Sequence, residues 1–262
     1  QLASEDWFGS SVAIHGDTIA VGAPGGTGKR GAAYVFVRPP GGWATTAAFE
    51  ARLTASDGEP VDGLGGSIAM HDDTVVVGAD GDDIGGTENR GSAYVYVRPG
   101  AGWADMGQTA KLTASDGARN DYFGDDVAIH GDTIVVGAYA NDIGGNENQG
   151  AAYVFVKPGG GWANGTETGR LTGLDVGGVA DFGCSVAVDG DTVIAGALGE
   201  DAERGSTYMF QRPRGGWVTT SAFGARVTAS DGAAWGWFGR CVGVNGSTVV
   251  VGALYGEHCR GS

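Results

Sequence analysis

Apolar residues in this chain fall into short runs broken by glycine-rich polar stretches, and no segment carries the 3.6-residue spacing of an amphipathic helix. Between positions 122 and 180 the runs are Asp126 to Ile129, Thr133 to Ala138, Ala151 to Lys157, and a weaker one from Gly169 to about Thr172. Each has the length of an ordinary β-strand. The same succession recurs five times. An anchor pair reads Phe8-Gly9, Leu64-Gly65, Phe123-Gly124, Phe182-Gly183 and Phe238-Gly239, in steps of 56, 59, 59 and 56 residues. A closing pair keeps the same steps at Gly22-Ala23, Gly78-Ala79, Gly137-Ala138, Gly196-Ala197 and Gly252-Ala253.

Polarity also changes within a unit. The second and third runs, such as Ile19-Ala20-Val21 and Tyr34-Val35-Phe36-Val37, are apolar on both faces, as strands sandwiched between neighbouring sheets must be. The fourth, as in Ala51-Arg52-Leu53-Thr54, alternates and so keeps one wet face. Burial that falls from inner to outer strand, in a unit repeated every 56 to 59 residues, predicts an all-β protein: a β-propeller of four-stranded antiparallel blades. Units that each lack a second layer must stack, so residues 1–262 read as one propeller region with units at about 7–62, 63–121, 122–180, 181–236 and 237–262. The last stops as its third strand should begin. The reading is therefore of part of a larger ring, or of a ring whose missing strands another chain supplies.

Between the first two strands lie Ile14-His15-Gly16-Asp17-Thr18, Met70-His71-Asp72-Asp73-Thr74, Ile129-His130-Gly131-Asp132-Thr133, Val188-Asp189-Gly190-Asp191-Thr192 and Val244-Asn245-Gly246-Ser247-Thr248. His-Gly, Asp-Gly and Asn-Gly suit the two central positions of a hairpin turn, where both residues take positive φ. The histidines are thus expected to be turn residues rather than catalytic or metal-binding ones. Trp43, Trp103, Trp162 and Trp217 each follow the third strand's tyrosine by nine residues, after a glycine-rich turn. They are expected to pack at the hairpin between third and fourth strands; the alternative is a series of exposed platforms that stack on sugars.

Composition narrows the function. A formal charge of -15 and a pI near 4.4 leave no basic stripe, which argues against nucleic acid. The 52 glycines follow no triplet period and sit at fixed offsets, as turn residues do. Three cysteines, Cys184, Cys241 and Cys259, form no paired-ligand motif; a Cys241–Cys259 bridge and free buried thiols both remain open. No apolar run is long enough to insert in a membrane. The chain opens on Gln1, so a processed or partial chain is expected.

Phe-Gly, an intervening strand pair, Gly22-Ala23-Pro24 and the following Gly31-Ala32-Ala33-Tyr34-Val35-Phe36-Val37 resemble the FG-GAP repeat, as found in the β-propeller of integrin α-subunits and its bacterial and lectin relatives. The resemblance covers nearly the whole chain. It implies an FG-GAP-type propeller, and for function it reaches only as far as adhesion, carbohydrate binding or assembly. Integrin-type blades often carry an Asp-x-Asp-x-Asp-Gly calcium loop between the first two strands, and here that loop is cut down to the short turn. A different acidic loop follows the second strand. It holds Asp80, Asp82, Asp83, Glu88 and Asn89 in the second unit and Asn141, Asp142, Glu147 and Asn148 in the third, oxygen ligands and tight turns that suit Ca²⁺. Arg30, Arg90, Arg204 and Arg260 close this loop in four units, and an ion pair to Asp57, Asp116 or Asp231 of the Ala-Ser-Asp corner is expected.

No nucleophile-elbow, zinc-protease or phosphate-loop motif occurs, so the expectation is a non-enzymatic protein. The reading is an extracellular or cell-surface adhesion or structural-assembly module that binds a protein partner through rim loops, with Ca²⁺ as a stabilising ion. The alternative is a glycan-binding lectin using Trp43, Trp103, Trp162 and Trp217. Asn164 and Asn245 begin glycosylation sequons.

Overall fold

The computed structural model describes residues 6–25, 30–46, 48–173, 179–232 and 234–254. Four antiparallel sheets follow one another. The first runs β1 (Val12–His15), β2 (Thr18–Ala23), β3 (Ala32–Val37), β4 (Ala51–Thr54); the second β5 (Ile68–His71), β6 (Thr74–Ala79), β7 (Ser92–Val97), β9 (Ala110–Leu112). The third is β10 (Val127–His130), β11 (Thr133–Ala138), β12 (Ala151–Val156), β13 (Gly169–Leu171), and the fourth β14 (Phe182–Asp189), β15 (Thr192–Ala197), β16 (Ser206–Gln211), β17 (Ala225–Val227). Among the described residues the fifth has β18 (Phe238–Asn245) and β19 (Thr248–Ala253), and the sheets do not close into a ring. The strands of the third unit match the expected runs within one residue.

The recurring dipeptides form the joint between sheets. Within a unit, the anchor glycine's N–H donates to the closing glycine's carbonyl: Gly9 to Gly22, Gly65 to Gly78 and Gly124 to Gly137, each at 2.9 Å. Between units, the carbonyl of the next anchor glycine lies against the closing glycine's Cα. A Cβ on Gly22, Gly78, Gly137 or Gly196 would stand 2.1, 2.0, 2.0 and 2.0 Å from the oxygens of Gly65, Gly124, Gly183 and Gly239. Only glycine permits that approach. Ser11, Ser67 and Ser185 Oγ donate to the carbonyls of Gly65, Gly124 and Gly239 at 2.7, 2.8 and 2.7 Å, tying each sheet to the next. The third unit has Asp126 in that position.

Three apolar clusters fill the spaces between successive sheets. The anchor Phe123 packs edge-on against Tyr153 and Phe155, with centroids 5.3 and 6.0 Å apart, and Phe182 packs tilted against Tyr208 and edge-on against Phe210. The hairpin between third and fourth strands reaches back to the preceding sheet's outer edge. A short strand β8 (Met106–Gly107) pairs in parallel with β4, and single bridges join Leu112 to Gly165 and Leu171 to Thr220. Side chains cap each junction: Asp105 and Asn164 carboxyl or amide oxygens accept from Arg52 and Lys111 N–H at 2.8 Å, Gln108 and Glu167 accept from Ser56 and Ser115 N–H at 2.9 and 3.0 Å, and Thr219 Oγ1 accepts from Arg170 N–H at 3.2 Å. The outer strand is thereby covered rather than left as an open edge.

Two expectations need correction. The corner aspartates do not pair with the loop arginines: Asp57 binds Lys111 Nζ at 2.6 Å and Asp116 binds Arg170, both cations on the next sheet's outer strand. Arg90 instead donates to the Ala114 carbonyl at 3.1 Å and Arg204 pairs with Asp201. Arg260 and Cys259 lie outside the described residues. The histidines are not central turn residues either. His15, His71 and His130 pair with Thr18, Thr74 and Thr133, so each is the last residue of its strand. Only the following residue takes positive φ: Gly16 at 56°, Asp72 at 49° and Gly131 at 56°.

Candidate functional site

The acidic loops are built by their backbones. In the second sheet Ile84 and Thr87 form a two-way bridge around Gly85 and Gly86, and in the third Ile143 and Asn146 do so around Gly144 and Gly145. Asp83 and Asp142 Oδ1 accept from the N–H of Asn89 and Asn148, both at 2.8 Å, where those asparagines turn through φ of 48° and 49°. The loop ends then hold the next unit's lead-in, with Asn120 N–H donating to the Glu88 carbonyl at 3.0 Å and Ala180 N–H to the Asn148 carbonyl at 3.1 Å. Asp82 is buried and accepts from Lys111 Nζ at 2.6 Å, Tyr94 OH at 3.1 Å and Ser92. Glu88 pairs with Arg119, and Asn89 Nδ2 donates to Asn120 Oδ1 at 2.9 Å. Asn141 is buried with its Nδ2 on Asp121 at 2.8 Å, while Glu147 is exposed. Asp80 is mostly enclosed and its carboxyl is pushed up by burial. The oxygens suggested for calcium thus divide into a buried, protein-bonded set (Asp82, Asn141) and an exposed set at the loop tips (Asp83, Glu88, Asp142, Glu147).

At the start of the innermost strands, the residues after each anchor glycine line a cavity of about 510 Å³. Asp125 is pushed up to about 6 and Asp126 to about 7, each mainly by burial; Asp80 adds to the first and Asp125 to the second, against Arg240. Asp126 accepts from Val186 N–H at 2.7 Å. Cys184 is buried and free, its thiol pushed up to about 12 by burial, which leaves it a poor nucleophile. Cys241 is free and exposed. The serine hydroxyls of this cavity already donate to backbone carbonyls, Ser11, Ser67 and Ser185 to glycines and Ser10 to Trp7.

At the far end of the same strands the histidines meet. The rings of His15 and His71 lie 4.9 Å apart and those of His71 and His130 are stacked at 4.7 Å. Asp72 reaches His15 Nε2 at 3.1 Å and His71 Nδ1 at 3.5 Å, and Asp189 holds His130 Nδ1 at 2.6 Å. Burial lowers the pKa of His71, opposed by Asp72 and helped by the two neighbouring imidazoles. The sequence shows these histidines at equivalent positions; it contains nothing on how closely the units stack.

Trp103, Trp162 and Trp217 are buried at 6, 8 and 3% exposure in the clusters between sheets, and Trp43 on the first sheet is 45% exposed. Asn164 and Asn245 are exposed, the former with its side-chain oxygen on Lys111 N–H. No helix among the described residues is long and apolar enough to cross a membrane.

The family model described as FG-GAP repeat matches residues 2–36, 48–96, 106–155, 166–210 and 223–262. Curated proteins give no sequence match. Among solved structures, a chain titled Kuenenia stuttgartiensis Hydrazine Synthase is similar at 12% identity with a TM-score of 0.49, over 86% of this chain. This chain spans 55% of that chain's length.

Proposed function

Since this chain belongs to the FG-GAP repeat family, we propose that it is a non-catalytic protein-binding module which presents its loops after the second strand to a partner, in an extracellular adhesion or assembly setting. The observation that carries the reading is the division of labour in those loops. Their backbones are fixed by the Ile84–Thr87 and Ile143–Asn146 bridges, while Asp83, Glu88, Asp142 and Glu147 stay exposed at the tips. A rigid loop loses little entropy on binding. With a formal charge of -15 behind them, these tips favour a partner with a basic patch. The burial of Trp103, Trp162 and Trp217 removes three of the four sugar platforms, which favours a protein ligand over a glycan.

The test is cross-linking capture with the full chain, paired with Asp83→Lys/Glu147→Lys and run with Ca²⁺ and with chelator. A protein captured by the wild type, lost in the variant and weakened at high salt supports the reading. Calcium at the loop tips predicts that chelator lowers the capture as well. Equal capture by wild type and variant overturns the loop assignment, and specific sugar binding on a glycan array that is lost in Trp43→Ala replaces it with the lectin reading.

A further inference from the structure

The histidines at the ends of the innermost strands take no part in that reading. From their geometry we propose that His15, His71 and Asp72 form a binding site for one divalent transition-metal ion of the zinc class.

These residues come from two units, and one ligand atom of each lies within 4.8 Å of the others, the group among the described residues in which His, Cys, Asp or Glu ligand atoms converge in this way. An ion about 2.1 Å from each ligand in tetrahedral geometry sets neighbouring ligand atoms about 3.4 Å apart. Asp72 Oδ1 stands 3.1 Å from His15 Nε2 and Asp72 Oδ2 3.5 Å from His71 Nδ1, so each oxygen of the carboxylate lies near that distance from one imidazole nitrogen.

Gly131 N–H donates to His71 Nδ1 at 3.3 Å. Asp72 Oδ2 stands 3.5 Å from the same nitrogen, near enough for one cation to reach both. The long bond from Gly131 yields when the ion takes the lone pair of that nitrogen.

Asp72 adds a separate argument. Its φ of 49° is the conformation that Gly16, Gly131, Gly190 and Gly246 hold at the same place in the other four units. A left-handed aspartate where glycine is available carries strain of about 1 kcal/mol or more, and what it places there is a carboxylate between two imidazoles. His130, held by Asp189 at 2.6 Å and stacked on His71, fixes the orientation of the middle ring.

Two imidazoles and one carboxylate suit Zn²⁺, Co²⁺, Ni²⁺ or Cu²⁺ rather than Ca²⁺ or Mg²⁺, which take all-oxygen sets. The Asp72 side chain is 75% exposed, which gives the ion a way in and leaves water or a partner's ligand to complete the coordination.

The test uses the full chain, stripped with chelator and titrated with Zn²⁺ in a calorimeter and with Co²⁺ by visible absorption. One ion per chain is expected. Asp72→Gly, which installs the residue of the other units, and His71→Ala each weaken binding by about tenfold or more, while Asp17→Asn, in the first unit's turn, leaves it unchanged. The Gly131 amide resonance shifts with Zn²⁺ in the wild type and not in Asp72→Gly. Absence of saturable binding overturns the proposal, as does wild-type affinity in Asp72→Gly and His71→Ala, which puts the ion elsewhere.

Discussion

Two glycines six residues apart allow the joint between sheets to be separated from ordinary turn strain. Gly137 closes the third unit and its backbone φ is unremarkable, but a Cβ there would stand 2.0 Å from the Gly183 carbonyl oxygen. Such contacts essentially never fall below 3.0 Å, so Gly137→Ala must push the third and fourth sheets apart by about 1 Å. The obstructing atom is backbone, so no side chain can rotate away. Overpacking of this kind costs about 3 kcal/mol, and in a protein of this size each kcal/mol lowers the melting temperature by about 2–4 °C, giving a drop of about 6–12 °C. Gly131 is the reverse case, with φ of 56° and nothing within 4 Å of an added Cβ. Gly131→Ala meets only the left-handed penalty of about 1 kcal/mol, a loss of about 2–4 °C. Thermal melts and urea titrations of both variants by circular dichroism measure the difference. A Gly137→Ala protein that melts within about 2 °C of the wild type, or one more stable than Gly131→Ala, refutes the idea that the glycine–carbonyl contact sets the spacing of the sheets.

Other residues make further demands. Lys111 is the shared cation of Asp57 and the buried Asp82, so Lys111→Met strands a carboxylate and lowers unfolding free energy by about 3 kcal/mol in urea titrations, with Asp82→Asn recovering part of the loss. Trp162→Ala costs about 3–5 kcal/mol by opening a cavity between sheets, whereas the exposed Trp43→Ala changes stability by less than about 1 kcal/mol; equal effects would contradict the burial. Burial raises Asp62, Asp125 and Asp181 to about 6 and Asp126 to about 7, above their unfolded value of 3.8. The fold therefore favours their protonated forms, and this stabilisation is complete below 3.8 and lost as pH rises through 6 to 7. The protein should melt higher at pH 5 than at pH 7.5, and Asp126→Asn should reduce that difference.

Much of the fold was legible because its signals are local. Phe123-Gly124 and Gly137-Ala138 recur since one joint recurs, and the alternation at Ala51-Arg52-Leu53-Thr54 reports a half-covered outer strand. Trp103, Trp162 and Trp217 could be placed at their hairpin by spacing alone, though not the preceding sheet that buries them. The errors arose where distance between units mattered. Arg90 is nearer in sequence to the Ala-Ser-Asp corner of its own unit than Lys111 is to Asp57, yet stacking brings Lys111 to Asp57 from the next sheet. The hairpin register was displaced by one residue, because His-Gly and Gly-Asp are both acceptable turn pairs and only the His15–Thr18 pairing distinguishes them. That single residue turns three histidines from turn occupants into a stacked column. In the acidic loops the sequence displays carboxylates, but not that Asp82 faces inward to Lys111 and Asp83 outward.

The socket for each sheet is a backbone carbonyl and the surface it meets is a bare Cα. Neither carries side-chain identity, so the joint is indifferent to which unit comes next. A duplicated unit bearing the two dipeptides can be inserted beside any other without compensating changes at the contact, and each then accumulates its own loops. The Asp126 position shows the latitude this gives: one joint has exchanged the serine of its neighbours for a carboxyl while the Gly137–Gly183 approach stays at the same distance as the rest. Growth by copying and divergence of the rims are, in this architecture, independent events.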